Sequence, residues 1–106
     1  MITDSQAEAS NDFIRDQSHN YARAKAERVH LEHFRKAKRA ILFQDAPDGT
    51  VADKEAYTYA HVDYISLLDA IKIAVEEEER LKYQLQAATL KIEIWRTQSS
   101  NNRAGM

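Results

Sequence analysis

The sequence has no cysteine, one proline and two glycines. Without cysteine there is no disulfide scaffold, no thiolate metal site and no thiol nucleophile. So little Pro and Gly argues against a β-sandwich or barrel, whose many tight turns need those residues. Long apolar runs are missing too. The longest, Ala40-Ile41-Leu42-Phe43, falls far short of the ~20 residues that a membrane-spanning helix needs. The opening Met1–Ser5 has neither the basic flank nor the apolar core of a secretory signal. At 106 residues the chain supports one small domain. These absences predict a cytoplasmic, single-domain, all-α protein with no membrane partner.

What is present is 43% hydrophobic and 30% charged residues, strongly organised around one turn. Pro47-Asp48-Gly49 is a turn with a mechanism: Pro presets φ, Asp bonds its own backbone, and Gly accepts φ > 0. The segment before it, about 5–43, has no helix breaker, and its middle is rich in Ala, Arg, Lys and Glu. An inward stripe there reads Ala22, Ala26, Val29, His33, Ala37 and Ala40, with Phe34 and Ile41 beside it.

After the turn the pattern is stronger. Tyr64, Leu67, Ile71, Ala74, Leu81, Leu85, Ala88, Ile92 and Trp95 follow alternating steps of three and four, with Glu78 as the one polar member. That is a heptad seam. Thr50 and Asp53 are both candidate N-caps. Ala60-His61-Val62-Asp63 marks a second boundary, between a short extra helix near 53–60 and a long one. Residues 98–106 are Ser, Asn and Gln rich and read as a flexible polar tail outside a hairpin domain at 1–97, with its turn near 44–50.

Two long helices about one tight turn predict an antiparallel helical hairpin. So thin a fold buries little, which predicts a homo-oligomer: a dimer forming a four-helix bundle, with Leu67, Ile71, Leu81, Leu85, Ile92 and Trp95 as the self-association seam.

Net charge is −2 but segregated: −3 over 1–20, +5 over 21–43, −8 over 44–79 and +4 from Arg80 onward. Folding at the turn sets opposite blocks face to face. If Phe43 lies level with His61, partner numbers add to about 104, which pairs Arg28 with Glu76, Lys25 with Glu79, Arg35 with Asp69 and Glu8 with Arg96. Each exposed pair is worth roughly 0–1 kcal/mol, but the wrong register meets like charges.

The cluster Arg35-Lys36-Lys38-Arg39 invites a nucleic-acid reading, with Arg103 as a further contact. Its plainer reading is a solvated face balanced by Asp63 and Asp69. Glu76–Glu79 is either an acidic DNA-mimicking surface or, more simply, a solvated face with ion-pair partners. Tyr57, Tyr59 and Tyr64 around His61 form either a binding tip or rings that plug the hairpin end against Leu42 and Phe43.

No catalytic constellation emerges. Glu27-x-x-His30 has the spacing of a di-iron bundle ligand pair, but no His occurs between Val62 and Thr97 to complete such a site. His30 and His33 read instead as polar residues bordering the seam. Ser10 and Ser66 lack a base and acid arranged around them. Two glycines cannot make a phosphate loop, a dinucleotide fingerprint or a nucleophile elbow. The reading is therefore no enzyme and no cofactor.

The stretch EAYTYAHVDYISLLDAIKIAVE (55–76), continued by LKYQLQAATLKIEIWRTQ (81–98), resembles small uncharacterised helical proteins of temperate phages and prophages, commonly encoded near early or recombination genes. The resemblance covers the C-terminal half well and the Arg35–Ala40 region loosely. In those proteins a Pro tends to follow the His; here the residue is Val62. The resemblance implies a phage accessory or adaptor protein with an unidentified protein partner, and an association with DNA metabolism, but no residue roles.

Overall fold

In a computed structural model the chain is all helical, with residues 1–105 described. α1 spans Asp4–Asp45, α2 Val51–Ala60 and α3 Val62–Ala104. α1 and α3 run antiparallel, which makes the helical hairpin that the turn and seam predict. The short extra helix is α2, and the boundary at His61 is real. The chain divides into two compact units. The terminal unit joins Met1–Arg23 to the α3 stretch from Glu78 onward, and the turn unit is Ala24–Glu77.

Each helix starts where its sequence supplies a cap. Thr3 and Gln6 form a reciprocal box at α1: the Gln6 amide carbonyl accepts from the Thr3 N–H (2.9 Å), and the Thr3 hydroxyl accepts from the Gln6 N–H (3.1 Å). Thr50 is the N-cap of α2 and Asp53 the N3 residue of the same kind of box, with both bonds at 3.1 Å. Thus Thr50 caps the helix and Asp53 completes the box from inside. The Asp53 carboxyl is held below its ordinary value of 3.8, first by the Thr50 backbone N–H and then by the Thr50 side chain. α1 stops at Asp45 because Pro47 disfavours a helical conformation at Ala46.

Gly49 corrects the expected turn chemistry, for it does not have positive φ. Its value is space. A Cβ there would lie 3.0 Å from Asp53 Oδ2 and 3.1 Å from Asp53 Cβ. Glycine lets the capping carboxylate lie close over the backbone.

His61 separates α2 from α3 with extended backbone, φ −66° and ψ 135°. Its Nδ1 accepts from the Asp63 N–H at 3.0 Å, and its carbonyl accepts from the Tyr64 and Ile65 N–H groups, both at 3.1 Å. One residue thus ends α2 and caps α3.

The α3 seam lies where the heptad predicts. Tyr64, Leu67, Ala74, Leu81 and Ala88 are buried, Glu78 with them, while Ile71, Leu85, Ile92 and Trp95 are half-buried. The α1 stripe is a correction. Ala22, Ala26, His33, Ala37 and Ala40 are exposed, as are Phe34 and Ile41, and only Val29 is half-buried. The inward face is Ala7, Ser10, Ile14, Gln17 and Tyr21 in the terminal unit, then Ala24, Arg28, Leu31, Lys38 and Leu42 in the turn unit. This face also keeps heptad spacing, but four of its ten members are polar or charged. Among the described residues no buried side-chain nitrogen or oxygen lacks a hydrogen-bond partner.

Cross-helix contacts fix the register. In the terminal unit Trp95 Nε1 donates to Asp4 (2.7 Å), and the Ile2 N–H donates to Gln98 (3.1 Å). In the turn unit Lys38 meets Asp63 at 3.7 Å. Partner numbers add to between 99 and 101 rather than 104. Other ion pairs form within α1. Arg28 reaches Glu32 at 3.0 Å, and Arg15 reaches Asp12 and Asp16, each at 3.4 Å. Residues 98–104, read as tail, continue α3 past the expected domain end at 97.

Candidate functional site

Two surfaces offer binding chemistry, one in each unit. In the turn unit the basic cluster is divided by helical geometry. Residues two apart on a helix point in nearly opposite directions. Lys38 turns toward α3 and sits against Asp63, its side chain only 25% exposed. Arg35, Lys36 and Arg39 stay outside. Arg39 lies over the Tyr59 ring, 5.3 Å from its centroid. Among the described residues neither Arg35 nor Lys36 has an ion-pair partner. Lys36, Arg39, Ala40, Phe43 and Gln44 line an open groove of about 390 Å³. Of the four predicted basic residues, therefore, Lys38 closes the fold, Lys36 and Arg39 line an accessible groove, and Arg35 is exposed outside that lining.

The tyrosines around His61 mostly plug the end of the turn unit. Tyr64 is buried and Tyr57 half-buried, and the Tyr57 ring meets His61 edge-on at 5.5 Å. Tyr59 meets Tyr64 edge-on at the same distance, with its own outer face open. Leu42 and Thr58 are buried in this unit, the Thr58 hydroxyl donating to the Lys54 carbonyl at 2.9 Å. Lys54 Nζ stands 5.8 Å from the Phe43 ring centroid, a contact between α2 and the end of α1.

In the terminal unit the surface is apolar. Tyr83, Leu90 and Ile94 are 61%, 56% and 47% exposed, and Ala87 is exposed between them. They follow steps of four, three and four, the spacing of a second heptad face on α3. An open groove of about 380 Å³ adjoins Ala87, floored by Ala9, Ser10 and Ala88, with Phe13, Gln6, Gln84 and Lys91 around it. Nothing in the sequence reading marked this stripe, although its spacing was there to find. The stronger seam two residues away drew the heptad.

Other predicted groups fall as follows. Leu67 and Leu81 are buried inside a single chain, as are, by half, Ile71, Leu85, Ile92 and Trp95. Their cover comes from α1 without a second copy. Glu76–Glu79 does not make one acidic face, because Glu78 is 6% exposed in the seam and Glu79 lies within 4.0 Å of Lys82. His30 and His33 are exposed rather than at the seam border, with His30 stacked on Phe34 at 6.3 Å. Among the described residues no group of three or more His, Cys, Asp or Glu is placed to hold a metal ion. Among the same residues, no helix is long and apolar enough to cross a membrane.

Comparisons with protein-family models, curated proteins and solved structures yield no match to this chain.

Proposed function

We propose that this chain is a non-enzymatic adaptor, an accessory protein of a temperate phage or prophage that works through helical self-association and protein binding in the host cytoplasm. One observation carries the reading. The chain exposes 7713 Å², whereas a folded monomer of 12.2 kDa exposes about 6,100 Å². The excess, roughly 1,600 Å² per chain, is about twice the ~800 Å² that each partner buries in a standard protein interface. Among the described residues, eight of the thirteen large apolar side chains left exposed belong to α3. Light scattering at micromolar concentration tests this: a dimer is expected, and a monomer throughout the range overturns it.

The exposed Lys36 and Arg39 groove, with Arg35 beside it, favours a second reading: a nucleic-acid-binding accessory factor. Phosphate contacts of this kind predict affinity that falls steeply with salt. Fluorescence anisotropy with labelled single- and double-stranded oligonucleotides should then show binding at low salt, lost on joint Arg35→Ala, Lys36→Ala and Arg39→Ala. No binding at low salt removes the reading. The acidic DNA-mimic reading is the weaker alternative, since Glu78, one of its four carboxylates, is buried in the seam.

A further inference from the structure

We infer that the self-association face is the outward stripe Tyr83, Ala87, Leu90 and Ile94 of α3, packed antiparallel against the same stripe of a second copy. This rests on the self-association reading above and gives it an address different from the seam predicted by sequence. The seam residues are already covered by α1, so a second copy gains little by seeking them.

The stripe is self-complementary about a twofold axis. When α3 crosses a second α3 antiparallel with its centre between Ala88 and Thr89, Tyr83 lies opposite Ile94 of the second copy, and Ala87 lies opposite Leu90. Large meets small at the middle, as interdigitating layers require. Leu90 of the second copy then enters over Ala87, where Ala9, Ala88 and Phe13 line a ready groove of about 380 Å³. A small residue flanked by an open hollow is what a leucine knob needs. Twofold symmetry repeats the contact in the other direction, so the interface closes on itself and stops at two copies.

Charge favours the same register. Flanking positions pair Gln84 with Lys91 and Gln86 with Glu93 of the second copy, so no like charges meet. A parallel arrangement in register would set Arg80 against Arg80 and Glu76 against Glu76. The apolar residues exposed on α3 in the turn unit make a poorer face. Ile65, Leu68 and Val75 are broken at the next heptad step by Lys72 and followed by Glu79 and Lys82.

The test is sedimentation equilibrium on the full chain and on surface variants, with helicity checked by circular dichroism. Wild type should be a dimer. Leu90→Glu, which alters both symmetry-related contacts, should weaken it by more than the roughly 30-fold that a single central hot-spot contact is worth, with helicity unchanged because Leu90 is 56% exposed. Joint Ile65→Glu and Leu68→Glu in the turn unit should leave the dimer constant within about threefold, as expected of side chains outside an interface. Register has its own test. Tyr83→Glu and Ile94→Lys chains should each dimerise poorly alone but pair with each other, because one contact becomes an ion pair and the other stays native. A wild-type chain that is monomeric overturns the self-association reading itself. A dimer that survives Leu90→Glu overturns the face and leaves that reading standing. Failure of the two charge variants to pair overturns the antiparallel register.

Discussion

The two units are built from the same two helices, yet they distribute their large side chains in opposite ways. The turn unit keeps bulk inside: Leu42, Tyr64 and Leu67 are buried, Thr58 completely so, and Tyr57 half-covered. The terminal unit keeps small or polar residues inside, namely Ala7, Ser10, Glu78 and Ala88 around Leu81, and sends Tyr83, Leu90 and Ile94 outward. A core of small residues lets helices approach closely but removes little apolar area from water, so each buried large side chain matters more. An extra helix and two caps support the turn unit locally. The terminal unit has no such local device between its ends, and an outward apolar stripe is the feature through which it can gain more burial.

The largest effect that sharpens this contrast is at Leu81, 3% exposed and, among the described residues, the one large fully apolar residue buried in the terminal unit. Leu81→Ala should cost about 2–4 kcal/mol, because the small neighbours cannot collapse into the space it leaves. Leu90→Ala, on the outer face of the same helix, should cost a single chain no more than about 0.5 kcal/mol. Urea melts at concentrations low enough to keep the copies apart measure both. Equal losses at the two positions would mean that the seam and the stripe are not distinct.

Next in size is the cap of α2. Thr50→Ala should cost about 1 kcal/mol, for it removes the acceptor of the Asp53 N–H. The comparison lies in Thr3→Ala, which breaks the same box at the start of α1. There the affected turn is terminal and can fray alone, whereas α2 is anchored to α1 through Lys54 and Phe43. Native-state hydrogen exchange should show Thr50→Ala loosening amides across the turn unit and Thr3→Ala loosening only the first turn of α1.

How much of this was legible beforehand differs between the helices for a physical reason. The α3 seam is written in Leu, Ile, Tyr and Trp at heptad steps, and burial follows that pattern from Tyr64 to Trp95. The α1 seam is written in Ala, Ser, Gln, Arg and Lys, whose stems or small side chains pack without registering as apolar. Extending the sevenfold steps from Ile14 to Tyr21 and on to Leu42 would have found it. Thr3-x-x-Gln6 was an equally readable start signal. Gly49 was recognised as a turn residue for the wrong reason, since crowding by a side chain four residues away is invisible in local turn statistics. Of the basic cluster, the sequence located the helix segment but could not tell that Lys38 belongs to the fold and Lys36 to the surface. That division depends on which face of α1 meets α3.

Smaller still is the expected gain at the α2–α3 junction. His61 already has the extended backbone that precedes a proline, and Val62 is the first helical residue, 67% exposed. Proline fits that first position, where its missing N–H is no loss. Val62→Pro should therefore raise stability by roughly 0.4–1 kcal/mol by restricting the unfolded chain. A loss in the same melts would show that the junction is not as rigidly bent as His61 indicates.

The finest difference between the units is electrostatic. Both capping boxes use a side chain three residues into the helix, but that residue is Gln6 in the terminal unit and Asp53 in the turn unit. Only the second can take up a proton. The Asp53 carboxyl in the folded chain titrates below its ordinary 3.8, so the unfolded chain binds the proton more readily. Its contribution to stability is therefore complete above 3.8 and is lost as pH falls through the lower folded value. Acidification into that range should release protection of the first-turn amides of α2, Asp53 and Lys54 among them, while the Gln6 and Ala7 amides of α1 keep theirs. Asp53→Asn should abolish the acid-specific loosening of α2 without changing α1. Amide shifts followed by NMR through an acid titration report both ends of the chain in one sample. If α1 and α2 loosen together, acid acts on the whole fold rather than on one protonated cap, and the two boxes are equivalent after all.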